Sequence, residues 1–443
     1  VMTRGGLLAL GLMLGLACRS GSNEQTPESR LLPWSRQIEV RESWLAQRHA
    51  LLLPMMRNHG IGMWIVVNEE FHDDPLTQYV APPRPYASSW DLFVFIDAGE
   101  QGLKKYALTL QSEEHVEEFF EAPPMRYGAG IALSELFNQY QPRTIGLSMN
   151  GKRGMTRSLT RAGHAFLVDA MGPEAEKRFV SAEPLITEYL DTRLPGEYEH
   201  YQNLVALTEK LARQVLSPEV IVPGRTTVKD VRRWLYDRVG ALGLGMWFQP
   251  DVRVQRAGLV PDMDVGFIKA AKDETVLQRG DLVHLDFGIS YMGLHSDLQR
   301  MAYLLREGEK DVPEGLKLAL TNTHALQDAL TLRASKPERP VSEVYEAAMA
   351  EMGAQAIQAR IYCHPLGNHG HALGAAIDEG SARRSDPPRL RKGSYIAIEL
   401  STATAVPEWE GQKVQVMQED PAWLSDEGWK YFVPRQEAFF LVP

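Results

Sequence analysis

Acidic residues set inside apolar runs constrain this chain more than any other feature. Residues 395–400 (YIAIEL) read as a strand with Glu399 in its middle. A carboxylate buried there costs several kcal/mol unless it is paired or binds a metal. Residues 413–420 (KVQVMQED) read as a second strand with Glu419 at its end. Residues 280–305 (GDLVHLDFGISYMGLHSDLQRMAYLL) read as a strand over 282–287, a turn at Gly293 and a return strand over about 295–304. Asp286 and Asp297 stand eleven residues apart on the two arms, and such a hairpin can bring both to one face. Two facing carboxylates repel each other unless a cation lies between them. The plainer reading is a turn aspartate, a cap and a solvated strand end. Glu437, in RQEAFF, rivals Glu419.

The 443-residue chain is 44% hydrophobic and 23% charged, which excludes a mostly disordered chain. Its net charge of −10 argues against nucleic acid as a partner, because a phosphate backbone wants a basic face. Two cysteines cannot make a disulfide framework or a thiolate zinc site. Arg4 precedes an apolar run, Leu7 to Leu16. That run is too short to span a bilayer of ~30 Å as a helix and suits a secretory signal. Ala17-Cys18 resembles a bacterial lipoprotein cleavage box, and residues 19–29 read as a polar tether. Residues 1–29 are therefore expected to be a signal or lipid anchor, with the chain exported as a periplasmic or membrane-anchored lipoprotein through Cys18.

Two folded parts follow. Residues 35–60 carry a helical pattern, and Ile61–Val67, Asp91–Ile96, Tyr106–Leu110 and Thr144–Ser148 read as strands, with a short helix over Ser134–Tyr140. Strands alternating with helices predict an α/β domain over 30–190. TRLPG, residues 192–196, marks a boundary. Glu197–Leu216 then reads as a long amphipathic helix and Val228–Leu242 as another, opening a second domain over 191–443.

NHGHALG, residues 368–374, sets His371 among small residues, with His364 and His369 close by. Asp286, Asp297, His371, Glu399 and Glu419 make an oxygen-rich set with one imidazole and no thiolate. That set suits two hard or borderline divalent ions, Mn²⁺ foremost, with Co²⁺, Zn²⁺ or Fe²⁺ as alternatives.

In this order the five residues resemble those of the pita-bread metallopeptidases: methionine aminopeptidase, aminopeptidase P and prolidase. The Asp–Asp spacing, Gly370-His371-Ala372-Leu373-Gly374, Ala397-Ile398-Glu399 and Glu419-Asp420 carry the resemblance. It implies a C-terminal pita-bread domain behind an α/β N-terminal domain, as in the aminopeptidase P and prolidase branch of the creatinase/aminopeptidase group. It further implies that Asp286 chelates one ion, His371 and Glu399 bind the other, and Asp297 and Glu419 bridge. The implied reaction is removal of N-terminal residues or dipeptides from a peptide, Xaa-Pro type, by hydroxide held between two ions, with Glu399 moving the proton. A homodimer is likewise expected.

The chain departs from that pattern at two histidines. Ahead of the first Asp it has Phe267-Ile268-Lys269, and after the metal His it has Asp378. His284, His295, His364 and His369 are the histidines that could supply a missing imidazole, and His364 or His369 is the expected substitute, which makes both candidate catalytic residues beside Glu399 and predicts slower or altered cleavage. The rival functions are a metal-free creatinase-like hydrolase and a non-catalytic peptide-binding module.

Overall fold

The computed structural model describes Val1 and residues 26–83, 89–110, 116–125, 128–264 and 266–443. The leader run and Cys18 lie outside those residues. Among the described residues no helix is long and apolar enough to cross a membrane.

The first part is an α/β/α layer structure. Its sheet has the order β3-β2-β1-β4-β5, where β1 is Met63–Glu69, β2 Trp90–Asp97, β3 Leu103–Leu108, β4 Ile145–Leu147 and β5 Phe179–Ser181. The two-residue alternation of β1 explains the layers. Met63, Ile65 and Val67 face helices Ala129–Tyr140 and Arg161–Met171, through Leu133, Phe137 and Leu167. Trp64 and Val66 face the opposite way, onto Leu45, Leu52 and Met56 of helix Trp34–Asn58 and Leu185, Ile186 and Tyr189 of helix Glu183–Asp191.

Residues 192–194 separate Glu183–Asp191 from the next helix, Pro195–Val215. Beyond them stands a nine-stranded sheet. Its main strands are β6 (Asp251–Gln255), β7 (Leu282–Phe287), β8 (Leu298–Leu304), β9 (Gln358–Leu366), β10 (Tyr395–Val406) and β11 (Gln412–Ser425). They run in the order β9-β10-β11-β8-β7-β6, and every neighbouring pair is antiparallel. Helices Pro195–Val215 and Val228–Ala241 cover Val283, Leu285 and Phe287 of β7. Helix Val341–Ala354 covers Ile361, Cys363, Ile396 and Ile398. Alternation then leaves His284, Asp286 and Glu399 on the uncovered face of their strands.

The 280–305 hairpin is more broken than its sequence pattern suggests. After β7 the chain makes a separate small hairpin, Ile289–Tyr291 with Leu294–His295, before β8 begins. Asp286 therefore pairs with Gln299, and Asp297 stands just ahead of β8 rather than opposite Asp286.

Candidate metal centre

Strand register gathers the acids. Glu399 of β10 lies directly opposite Glu419 of β11. Glu419 lies opposite Gln299 of β8, Gln299 opposite Asp286 of β7, and Asp286 opposite Asp251 of β6. Side chains so paired sit about 5 Å apart on one face. One row crossing five strands thus carries four acids and one amide. His364 of β9 pairs with Ala397, two residues from Glu399, so its ring falls beside that row.

The imidazole among the carboxylates is that of His364. Its Nε2 lies 3.2 Å from Glu419 Oε1, 3.6 Å from Asp297 Oδ2 and 3.6 Å from Glu399 Oε2. Its Nδ1 lies 3.4 Å from the Pro365 carbonyl, which favours a proton on Nδ1 and a bare Nε2 facing the acids. Asp297, His364 and Glu419 are all buried and each offers a ligand atom within 4.8 Å of the other two. Among the described residues the three-ligand cluster takes His364 where His371 was expected. His371 lies past the end of β9, exposed, with its ring packed edge-on against His364 at 4.5 Å.

His369 is exposed as well and stands 5.3 Å from the His295 ring. Trp247, which the sequence reading passed over, contacts both His369 and His371, at 6.0 and 5.4 Å between ring centroids. Its indole N–H is fixed on the Ser296 carbonyl at 2.8 Å. A Cβ on Gly370 would collide with that indole, which is why a residue without a side chain separates the two histidines. Glu437 is mostly exposed and bonded to Arg435 at 2.9 Å, so Glu419 is the acid at the centre. Asp378 accepts from the Ser381 N–H at 2.7 Å, capping the short helix Glu379–Ala382.

Burial, and then the charge of its neighbours, pushes each acid upward. Asp286, Asp297 and Glu399 are held well above the usual carboxylate range, first by burial and then by Glu419. Glu419 is pushed up to about 8, by burial and then by Asp420. Two atoms, Asp286 Oδ1 and Asp297 Oδ1, are buried without a hydrogen-bond partner. Buried acceptors left empty and like charges pressed together are both relieved by a divalent cation, so these residues fit one.

The opposite face of the same strands is locked. Arg300, fully buried, is paired with Asp420 at 2.9 Å and with Glu209 of helix Pro195–Val215. Its guanidinium also reaches the carbonyls of Gln299 and Glu419, at 2.7 and 3.1 Å. Asp420 further accepts from Gln327 at 2.8 Å. Arg300 thereby ties β8 to β11 directly beneath the row. Along the ligand face runs a cavity of about 770 Å³ lined by Arg153, Arg360, Tyr362, Asp378, Ser401 and Gln415.

Residues 199–421 match the family model of metallopeptidase family M24. A search of curated proteins finds no match. Among solved structures the chain resembles an X-Pro aminopeptidase from Thermotoga maritima MSB8, at 17% identity and a TM-score of 0.65, covering 88% of this chain and all of that one. It resembles an Xaa-Pro dipeptidase from Bacillus anthracis at 15% identity and a TM-score of 0.60, over 92% of this chain and 99% of that one. A prolidase from Pyrococcus furiosus matches at 16% identity and a TM-score of 0.59, over 87% of this chain and 100% of its own. At these identities the likeness is one of fold.

Proposed function

Because this chain belongs to metallopeptidase family M24, we propose that it cleaves short peptides near their N-terminus, with Xaa-Pro bonds as preferred substrates. The observation that carries the reading is the buried His364 Nε2 facing three carboxylates, two of them within one three-ligand cluster. Asp297, His364 and Glu419 would hold a divalent ion, Mn²⁺ being the foremost choice for an oxygen-rich set, with Glu399 beside them. Such an ion polarises a carbonyl and lowers the pKa of water, the two things an unreactive amide requires. The resemblance implies a second ion, and Asp286 is the ligand it would depend on.

The chain's own residues divide the remaining work. Glu399 is tied at Oε1 by Gln299 and keeps Oε2 toward His364. That oxygen takes the proton of the attacking water and delivers it to the leaving amine. His369 and His371, exposed against Trp247, offer N–H donors to the substrate backbone. Arg153 gives the adjoining cavity a guanidinium suited to a short peptide's carboxylate.

The test is a panel of dipeptides and Xaa-Pro-Xaa tripeptides, assayed with Mn²⁺, on the parent and on His369→Ala. Cleavage of Xaa-Pro bonds that weakens in His369→Ala is expected. No cleavage of any peptide by metal-loaded protein would favour a non-catalytic binding module, and full cleavage by metal-stripped protein would favour a metal-free hydrolase.

A further inference from the structure

Two hollows meet at Arg153. It lines the cavity along the ligand face, and it also lines a cleft of about 480 Å³ between the two parts of the molecule. Asp378 lines the first, and Ser381 and Arg384, shortly after it in the chain, line the second. One wall of the cleft comes from the first part, through Lys152 and Arg153 beyond β4 and through helix Glu183–Asp191. The other comes from the second part, through residues 372–376, directly after His371, and through Arg384, Arg389 and Arg391. Arg153 also acts on an exposed imidazole: burial, and then the Arg153 charge, lower the pKa of His369. The cleft therefore continues the site.

Its charges are unequally matched. Three acids line it, and each is engaged. Glu183 accepts from the Lys152 backbone N–H at 2.8 Å and from the Thr156 hydroxyl at 3.0 Å. Glu188 lies 2.7 Å from His59 Nε2 and 3.5 Å from Arg391. Asp191 accepts from the Ser394 hydroxyl at 2.9 Å and lies 3.6 Å from Arg391. Among the described residues the side chains of Lys152, Arg153 and Arg384 have no carboxylate partner, and all three are exposed. The whole chain carries a net charge of −10, so this excess of cation is local. A concave wall of one sign concentrates ions of the other. A peptide whose N-terminal bond lies at the ion and whose chain runs on past Arg153 would enter the cleft with the residues that follow that bond. In an extended chain every second side chain faces the same wall.

Resting on the metallopeptidase reading, we propose that the cleft between the two parts receives the C-terminal side of longer peptide substrates, and that Lys152, Arg153 and Arg384 select acidic side chains there. The favoured substrate class is an oligopeptide with Asp or Glu beyond the scissile bond. A bare dipeptide is too short to use the cleft.

The test uses the full chain and three peptides of equal length: Ala-Pro followed by Ala-Glu-Ala-Glu, by Ala-Gln-Ala-Gln or by Ala-Lys-Ala-Lys. Dissociation constants are measured by calorimetry on metal-stripped protein, where no turnover intervenes. KM and kcat are measured on Mn²⁺-loaded protein. The Glu peptide is expected to bind about threefold to tenfold tighter than the Gln peptide, with a matching fall in KM and little change in kcat. That advantage is expected to shrink as salt rises from about 0.05 to 0.5 M. Lys152→Glu combined with Arg384→Glu reverses two exposed charges. It is expected to turn the preference toward the Lys peptide and to leave cleavage of Ala-Pro-Ala unchanged. Equal affinity for the three peptides, or a Glu preference that survives the double variant, would overturn the proposal, while cleavage of Ala-Pro-Ala would leave the metallopeptidase reading standing. Glu-selective binding with no cleavage of any peptide would overturn that reading, and the substrate role of the cleft with it.

Discussion

Glu399 alternates with Ile398 and Leu400 on β10, so its burial is imposed by the strand and its charge must serve the site. Glu399→Gln keeps the shape and removes the proton acceptor. Turnover is expected to fall by roughly 10²–10⁴-fold, the range of general acid–base catalysis, with circular dichroism and Tm nearly unchanged. Retention of kcat with full metal would remove Glu399 from the mechanism. His364→Ala and His371→Ala separate the two imidazoles. Metal content is expected to be lost in the first and kept in the second, whose kcat/KM alone falls; the reverse pattern would return the ligand role to His371. The acids were legible in the sequence because a charge in an apolar strand demands an explanation. The histidine was not, because His364 and His371 share one short segment and only the pairing of His364 with Ala397 chooses between them. Gln299 carries no charge and stands out only once Glu419 and Asp286 are seen on either side of it.

At the scale of elements, strands with strict alternation were readable: β1, β2, β10 and β11 lie where the apolar pattern puts them. Helix Glu314–Asp328 was not, and its buried stripe shows why. Leu316, Ala319, Leu320 and Leu326 share that stripe with Thr323 and Gln327, which bond Thr402 and Asp420 across the sheet and blur the hydrophobic period. Helix Trp34–Asn58 supplies a test of such buried polar contacts. His49 is buried, with Nε2 on the Val80 carbonyl at 2.9 Å and Nδ1 3.1 Å from Lys105 Nζ. The ring is therefore neutral, donating from Nε2 and accepting at Nδ1. Burial, and then the Lys105 charge, lower its pKa from 6.5 to about 3. Between those values the unfolded chain binds the extra proton, so stability is present above pH 6.5 and is lost as the pH falls. The loss is at most ~1.4 kcal/mol per pH unit. Urea unfolding at pH 7 and pH 5 should show the parent losing about 2 kcal/mol more than His49→Gln does. Equal losses in the two proteins would assign the acid sensitivity elsewhere.

Across the whole molecule, the first part reaches into the loop that carries the exposed histidines. Tyr79, on the short helix Thr77–Val80, places its hydroxyl on the carbonyl of Asn368 and 3.2 Å from that of Gly293. Arg193 holds the Asn368 side chain at 2.6 Å, and Asn368 in turn donates to the Leu190 carbonyl at 3.3 Å. Arg48 of helix Trp34–Asn58 bonds the carbonyls of Tyr189 and Thr192 and pairs with the buried Glu197 of helix Pro195–Val215. The Tyr79 and Arg193 contacts meet at Asn368, one residue ahead of His369. The α/β part therefore touches the loop that carries His369 and His371, while His364 and Glu419 lie on strands of the larger sheet and Asp297 stands just ahead of one. Tyr79→Phe separates those two tasks. It removes a hydrogen bond of net worth about 0.5–1.5 kcal/mol and leaves the ring in place. Metal content is expected to stay at the parent's value, because the Tyr79 hydroxyl bonds the carbonyls of Asn368 and Gly293 rather than Asp297, His364 or Glu419. The KM for a peptide is expected to rise a few-fold, by up to about tenfold, as the exposed imidazoles lose their anchor, with kcat changing less. The Tm should fall by only a few degrees. Unchanged KM with a lowered Tm would make Tyr79 a fastening between the two parts and nothing more, and loss of metal would show that the α/β part shapes the centre itself.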